Sequence, residues 1–130
     1  MGRAIRPCGL LLGLLVVTAA GCQRVNYEKT YTIEPGEMKS ILFDAPRYGQ
    51  EVTVQVSSPG APVSVYLVKA ADEDAAHRAA SRGGGSDVLA GKEKAEDISL
   101  KATVPAKTAY AVVLEAQTKK AEARVKVNGR

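Results

Sequence analysis

The chain has 130 residues, 45% of them hydrophobic and 25% charged, with a net charge of +4. That balance suits one ordinary globular domain and excludes disorder along the whole length. Aromatic residues are 5%, with no Trp, and there are two Cys and one His. This is too few for stacking-based nucleic-acid readout or for a zinc site built from Cys and His alone. No cofactor and no metal site is expected.

Residues 1–9 carry Arg3 and Arg6 and no acid, and LLLGLLVV follows at 10–17. Small residues then lead to Cys22. A basic start, a short apolar run and a small-residue zone make a secretory signal peptide. The run from Leu10 to Gly21 is too short for a permanent span, which needs ~20 apolar residues. Removing Arg3 and Arg6 lowers the net charge of +4 by two, so a nucleic-acid partner is not expected.

Thr18-Ala19-Ala20-Gly21-Cys22 resembles the lipobox of bacterial lipoproteins. Ala19 stands where that family usually has Leu. The resemblance implies cleavage between Gly21 and Cys22 and acylation of Cys22, with palmitate-type chains. Cys22 would then be the only Cys of the mature chain, and a leftover thiol in an exported protein calls for a modification or a partner. A diacylglyceryl group anchors stably where a single acyl chain does not. Gln23, in place of the Asp that favours inner-membrane retention in that family, directs the expectation to the outer membrane of a bacterial envelope. The expected organisation is a signal peptide at 1–21, a lipid-anchored linker at 22–26 and a folded domain at 27–128.

Within that domain the pattern is period two. Tyr27, Tyr31 and Ile33 alternate with Glu28, Thr32 and Glu34, and Pro35-Gly36 marks a turn. MKSILF at 38–43 alternates without a clear buried face. Val52, Val54 and Val56 against Glu51, Thr53 and Gln55 make the clearest strand. Strand patterns recur at 63–68, 98–104, 109–115 and 121–127. Gln117–Lys120 has the length of a hairpin loop. Seven short strands with turn signals between them predict an all-β, antiparallel, jelly-roll-like β-sandwich.

Residues 70–97 interrupt the pattern. AADEDAAHRAASR predicts a short helix, with Asp72, Glu73 and Asp74 at its start and Arg78 and Arg82 near its end, in accord with the helix dipole. Only Ala is available for burial, so the helix is expected to dock weakly. The remainder, to Asp97, reads as a polar, mobile loop.

Candidate chemistry is sparse. Asp74, His77 and Ser81 share a helical face and invite a triad, but a nucleophile also needs a pocket and an oxyanion hole. Gly83-Gly84-Gly85-Ser86 lacks the P-loop spacing and reads as a linker. Asp72-Glu73-Asp74 lacks the alternation of an EF-hand loop. Lys119, Lys120, Arg124 and Lys126 read as a charged edge strand guarding against aggregation. Tyr31 and Tyr110 are expected in the core and Tyr66 at the surface.

Val63-Ser64-Val65-Tyr66-Leu67-Val68 and Lys107-Thr108-Ala109-Tyr110-Ala111-Val112-Val113-Leu114 resemble strands of the bacterial pre-peptidase C-terminal domain. Ser64 stands where that family commonly has an acid and Ala109 where it has Gly. The resemblance implies a jelly-roll-like sandwich accompanying secreted enzymes or binding ligands, without the family's metal site. The expected function is a non-enzymatic, lipid-anchored envelope module, with no catalytic residue, serving a structural or partner-binding role toward an envelope protein or glycan. An accessory carbohydrate- or peptide-binding module is the alternative, and a small hydrolase using His77 the second.

Overall fold

A computed structural model describes residues 24–82 and 85–130. Gly21 and Cys22, and with them the expected cleavage and acylation site, lie outside the described residues. The strands are β1 (Val25–Ile33), β2 (Met38–Phe43), β3 (Gln50–Ser57), β4 (Val63–Lys69), β5 (Val88–Ala95), β6 (Asp97–Val104), β7 (Tyr110–Ala116) and β8 (Ala121–Gly129). One helix, α1 (Glu73–Arg82), follows β4. They form two four-stranded sheets, β1-β8-β3-β6 and β2-β7-β4-β5. All strand pairings are antiparallel. The pairings nest: β1 with β8, β2 with β7, β3 with β6, β4 with β5. It is as if one long hairpin had been folded over on itself.

The period-two pattern places the core between the sheets. Val52, Val54 and Val56 of β3 and Val125 and Val127 of β8 face Val63, Val65 and Leu67 of β4 and Val112 and Leu114 of β7. Tyr110 is fully buried, its ring stacked on Phe43 with centroids 5.0 Å apart. Tyr27 meets Phe43 edge-on at 5.7 Å. The expected turn at Pro35-Gly36 is present, with Gly36 at φ of 78°, and Gly60 takes φ of 77° after β3, a region open to Gly without steric cost.

Several expectations need correction. The sandwich has eight strands, not seven, because Val88–Ala95 pairs with β4. Lys92, Glu93 and Lys94 give it no alternation to read, and they are exposed on an edge strand, where charge discourages further pairing. Residues 70–97 are therefore a helix and a strand rather than a helix and a mobile loop. Gln117–Lys120 is no hairpin loop, since β7 and β8 belong to different sheets. Arg124 and Lys126 do not guard an edge, because β8 lies between β1 and β3. The last strand runs past the expected domain limit at 128: Gly129 is buried, and Arg130 exchanges backbone hydrogen bonds with Glu51 at 2.9 and 3.0 Å.

The helix docks fully rather than weakly. Ala76, Ala79 and Ala80 are 0–3% exposed and pack with Tyr66, Val68, Ala111 and Val113 on the outer face of the second sheet. Small side chains let the helix backbone approach closely, so a face of Ala is enough. Asp72 caps the helix, its Oδ1 accepting from the Ala75 N–H at 2.8 Å. The helix also explains why β4 and β7 are apolar at successive positions: each is buried on both faces. Tyr66 is accordingly 5% exposed rather than at the surface, and its hydroxyl donates to Glu93. Tyr31 is half-buried, hydrogen-bonded to the Tyr27 hydroxyl, with Lys29 over its ring.

Candidate partner-binding face

The two sheets differ in what covers their outer faces. Residues 73–82 seal the second sheet, whereas among the described residues no helix covers the outer face of the first. Alternation along its four strands sends every second side chain to solvent, and the register aligns them in rows. Glu28, Lys126, Gln55 and Ser99 form one row across the sheet. Thr30, Arg124, Ser57 and Asp97 form the next, and Asn26, Asn128, Thr53 and Lys101 the one on the other side.

Two depressions cross this face. One, of about 510 Å³, is lined by Glu28, Gln55, Ser57, Asp97, Ser99, Arg124 and Lys126. The other, of about 340 Å³, is lined by Asn26, Thr53, Asn128, Glu51, Arg24 and Arg130. Gln55 borders both. Arg124 binds Glu28 through its Nε at 2.6 Å and through its terminal nitrogen. Lys101 pairs with Glu51 at 3.5 Å. Lys126 and Asp97 form no ion pair with any described residue.

Hydroxyls, amides and charges of both signs thus converge on a broad, shallow surface. It can exchange directional hydrogen bonds and ion pairs with a polar partner. No aromatic ring lines either depression, so neither offers the stacking platform that favours sugars. Sequence reading had treated these side chains strand by strand. Their convergence is a product of register, and neither Glu28 nor Gln55, Ser99 or Asp97 had stood out.

The other sequence candidates do not assemble. Asp74 and Ser81 are exposed on α1, and His77 Nε2 is buried without a partner, so no relay runs through that nitrogen. Asp72 serves as a helix cap. Among the described residues no helix is long and apolar enough to cross a membrane.

No protein-family model matches the chain, and no curated protein matches it. Solved structures do. The chain is similar to PliG of Aeromonas hydrophila, a periplasmic lysozyme inhibitor of g-type lysozyme, at 11% identity and a TM-score of 0.56. The match covers 86% of this chain and 90% of that one. It is also similar to the Yersinia pseudotuberculosis-derived mitogen, YPM, at 10% identity and a TM-score of 0.54, over 81% and 84% of the two chains. At such identities the likeness shows the fold, a β-sandwich of two antiparallel sheets.

Proposed function

We propose that this chain is a non-enzymatic binding module of a bacterial cell envelope, tethered through an acylated Cys22, that engages a protein partner with the outer face of β1-β8-β3-β6. One observation carries the reading: one sheet is sealed by a helix while the other presents an open hollow of about 510 Å³ in which Val56 and Ile98 lie among Glu28, Asp97, Arg124 and Lys126. The nested pairing is that of a jelly roll, an architecture used by lectin and capsid domains. A periplasmic inhibitor of an enzyme with this fold supports a protein as the partner, and supports an envelope location. The signal peptide and lipobox-like segment support the tether. The polar, unstacked character of the face favours a protein over a glycan.

The test places a photo-crosslinking amino acid at Gln55 in one variant and at Arg78, exposed on α1, in another, in living cells. The reading expects a discrete protein adduct from position 55 and none from 78. Purified g-type lysozyme is the first partner to assay, with inhibition lost in Arg124→Glu/Lys126→Glu. Equal adducts at both positions, or none from 55, would overturn the reading. Retention on peptidoglycan with no protein adduct would favour the accessory carbohydrate-binding alternative, and a hydrolytic activity lost in His77→Ala would favour the enzyme.

A further inference from the structure

Among the described residues two large apolar side chains are exposed, Leu42 at 48% and Tyr48 at 65%. They fall close together in the chain, at the end of β2 and in the loop that follows it. Leu42 lines a hollow of about 420 Å³ with Arg24, Val25, Phe43 and Pro46. This hollow opens at the end of the sandwich from which β1 starts. Arg24 follows Cys22 by two residues, a reach of roughly 7 Å at full extension. The opposite end of the nine-residue β1 is about 30 Å away.

We infer that the corner formed by Leu42, Tyr48 and Arg24 rests on the surface of a phospholipid bilayer. The inference depends on the Cys22 anchor proposed above and adds an orientation to it. A Tyr ring at the level of the headgroups keeps its hydroxyl wet and its ring in the interface. Arg24, which lines the hollow with Leu42, finds lipid phosphate.

Charges of both signs lie at this end. Arg47 lies in the same loop as Tyr48, and the loop of Lys107 is held beside it by the Lys107 N–H donating to Pro46 O at 2.6 Å. Arg130 ends the chain at this side of the first sheet. Of the acids, Asp44 lies in the loop and Glu51 is paired with Lys101. Asp72, Glu73 and Asp74 start α1 from this end, near Lys69, on the outer side of the second sheet. Leu42, opposite Ala111 in the register, shares that outer face with α1, so the basic groups around Arg24 rather than the start of α1 meet the surface.

The experiment uses the lipidated full chain in mixed phosphatidylethanolamine–phosphatidylglycerol vesicles with brominated acyl chains. An environment-sensitive fluorophore is attached through Ala45→Cys beside Tyr48, or through Pro59→Cys at the opposite end. Both positions are exposed. Quenching several-fold stronger at 45 than at 59 is expected, and reduced by Leu42→Glu/Tyr48→Glu. Equal quenching at the two positions, or none at 45, overturns the inference. A second arm sediments the unlipidated Cys22→Ser chain with the same vesicles. Weak, salt-sensitive binding lost in Leu42→Glu/Tyr48→Glu supports the patch, even where mass analysis finds no lipid on wild-type Cys22 and the anchor falls. No binding in that arm, beside lipid on Cys22 and equal quenching, sinks the patch and leaves the anchor standing.

Discussion

Gly91 lies under the ring of Tyr66. The two are cross-strand partners in β4 and β5, and a Cβ on Gly91 would stand 2.8 Å from Tyr66 Cδ1 and 3.2 Å from Cε1. The ring is pinned by the hydrogen bond of its hydroxyl to Glu93, two residues further along β5. A hydrogen atom at position 91 therefore lets an aromatic ring cover the edge strand. Gly91→Ala forces the ring aside and is expected to cost about 1–3 kcal/mol by overpacking. Tyr66→Leu in the same chain should recover part of that loss, because the two sites share one contact. Urea unfolding of the single and double variants measures both effects.

The helix is held by alanines, so its tolerance is asymmetric. Ala76 is fully buried, and Ala76→Leu is expected to push α1 off the second sheet at a cost of about 1–3 kcal/mol. Arg78→Ala, on the exposed side, should fall within about 0.5 kcal/mol of the parent. Thermal unfolding followed by circular dichroism separates the two.

Burial pushes the Tyr110 hydroxyl up to about 12, and burial followed by the bond to Glu93 does the same for Tyr66. Both keep their protons in the fold after an unfolded tyrosine, near 10, has lost its own. Between about pH 10 and 12 the folded state binds more protons than the unfolded one, so stability falls as pH rises. Below pH 10 the contribution is complete and flat. Tyr110→Phe should blunt this alkaline loss, while at neutral pH it removes the bond donated to Gln50 at 3.2 Å, at about 0.5–1.5 kcal/mol. Urea midpoints across the alkaline range test the sign.

The Glu28–Arg124 pair is exposed, with side-chain accessibilities of 43% and 69%. Glu28→Ala is expected to change stability by less than about 1 kcal/mol, as exposed pairs do. The same substitution should reduce adduct formation from position 55 if the face binds a partner. Unchanged adduct yield would place the contact elsewhere on the sheet.

The proposed acylation rests on a single thiol, Cys22. Cells fed a radioactive fatty acid should label the wild-type chain and leave Cys22→Ser unlabelled. Absence of label on the wild type would remove the tether while leaving the sandwich as described.

Much of the fold was legible from alternation. The β3 residues Val52, Val54 and Val56 are buried in register, as their spacing required, because a strand with one dry face must alternate. The Pro35-Gly36 turn was legible for a similarly local reason, since Gly36 takes its φ of 78° freely. β5 was not, because an edge strand with one neighbour and charged side chains carries no alternation. Tyr66 was misplaced because its face is buried by α1, a contact between segments that no strand pattern records.

Local chemistry in the chain settles seven of the eight strands, the Pro35-Gly36 turn and the helix with its acidic start, because each depends on neighbours within a few residues. Tertiary structure alone decides which sheet each strand joins and that alanines suffice to seal one of them. It alone gathers Glu28, Gln55, Asp97 and Lys126 from four strands onto one open face. That face exists only through hydrogen-bond register between segments up to a hundred residues apart, and register is a property of the paired backbone rather than of any one strand's sequence.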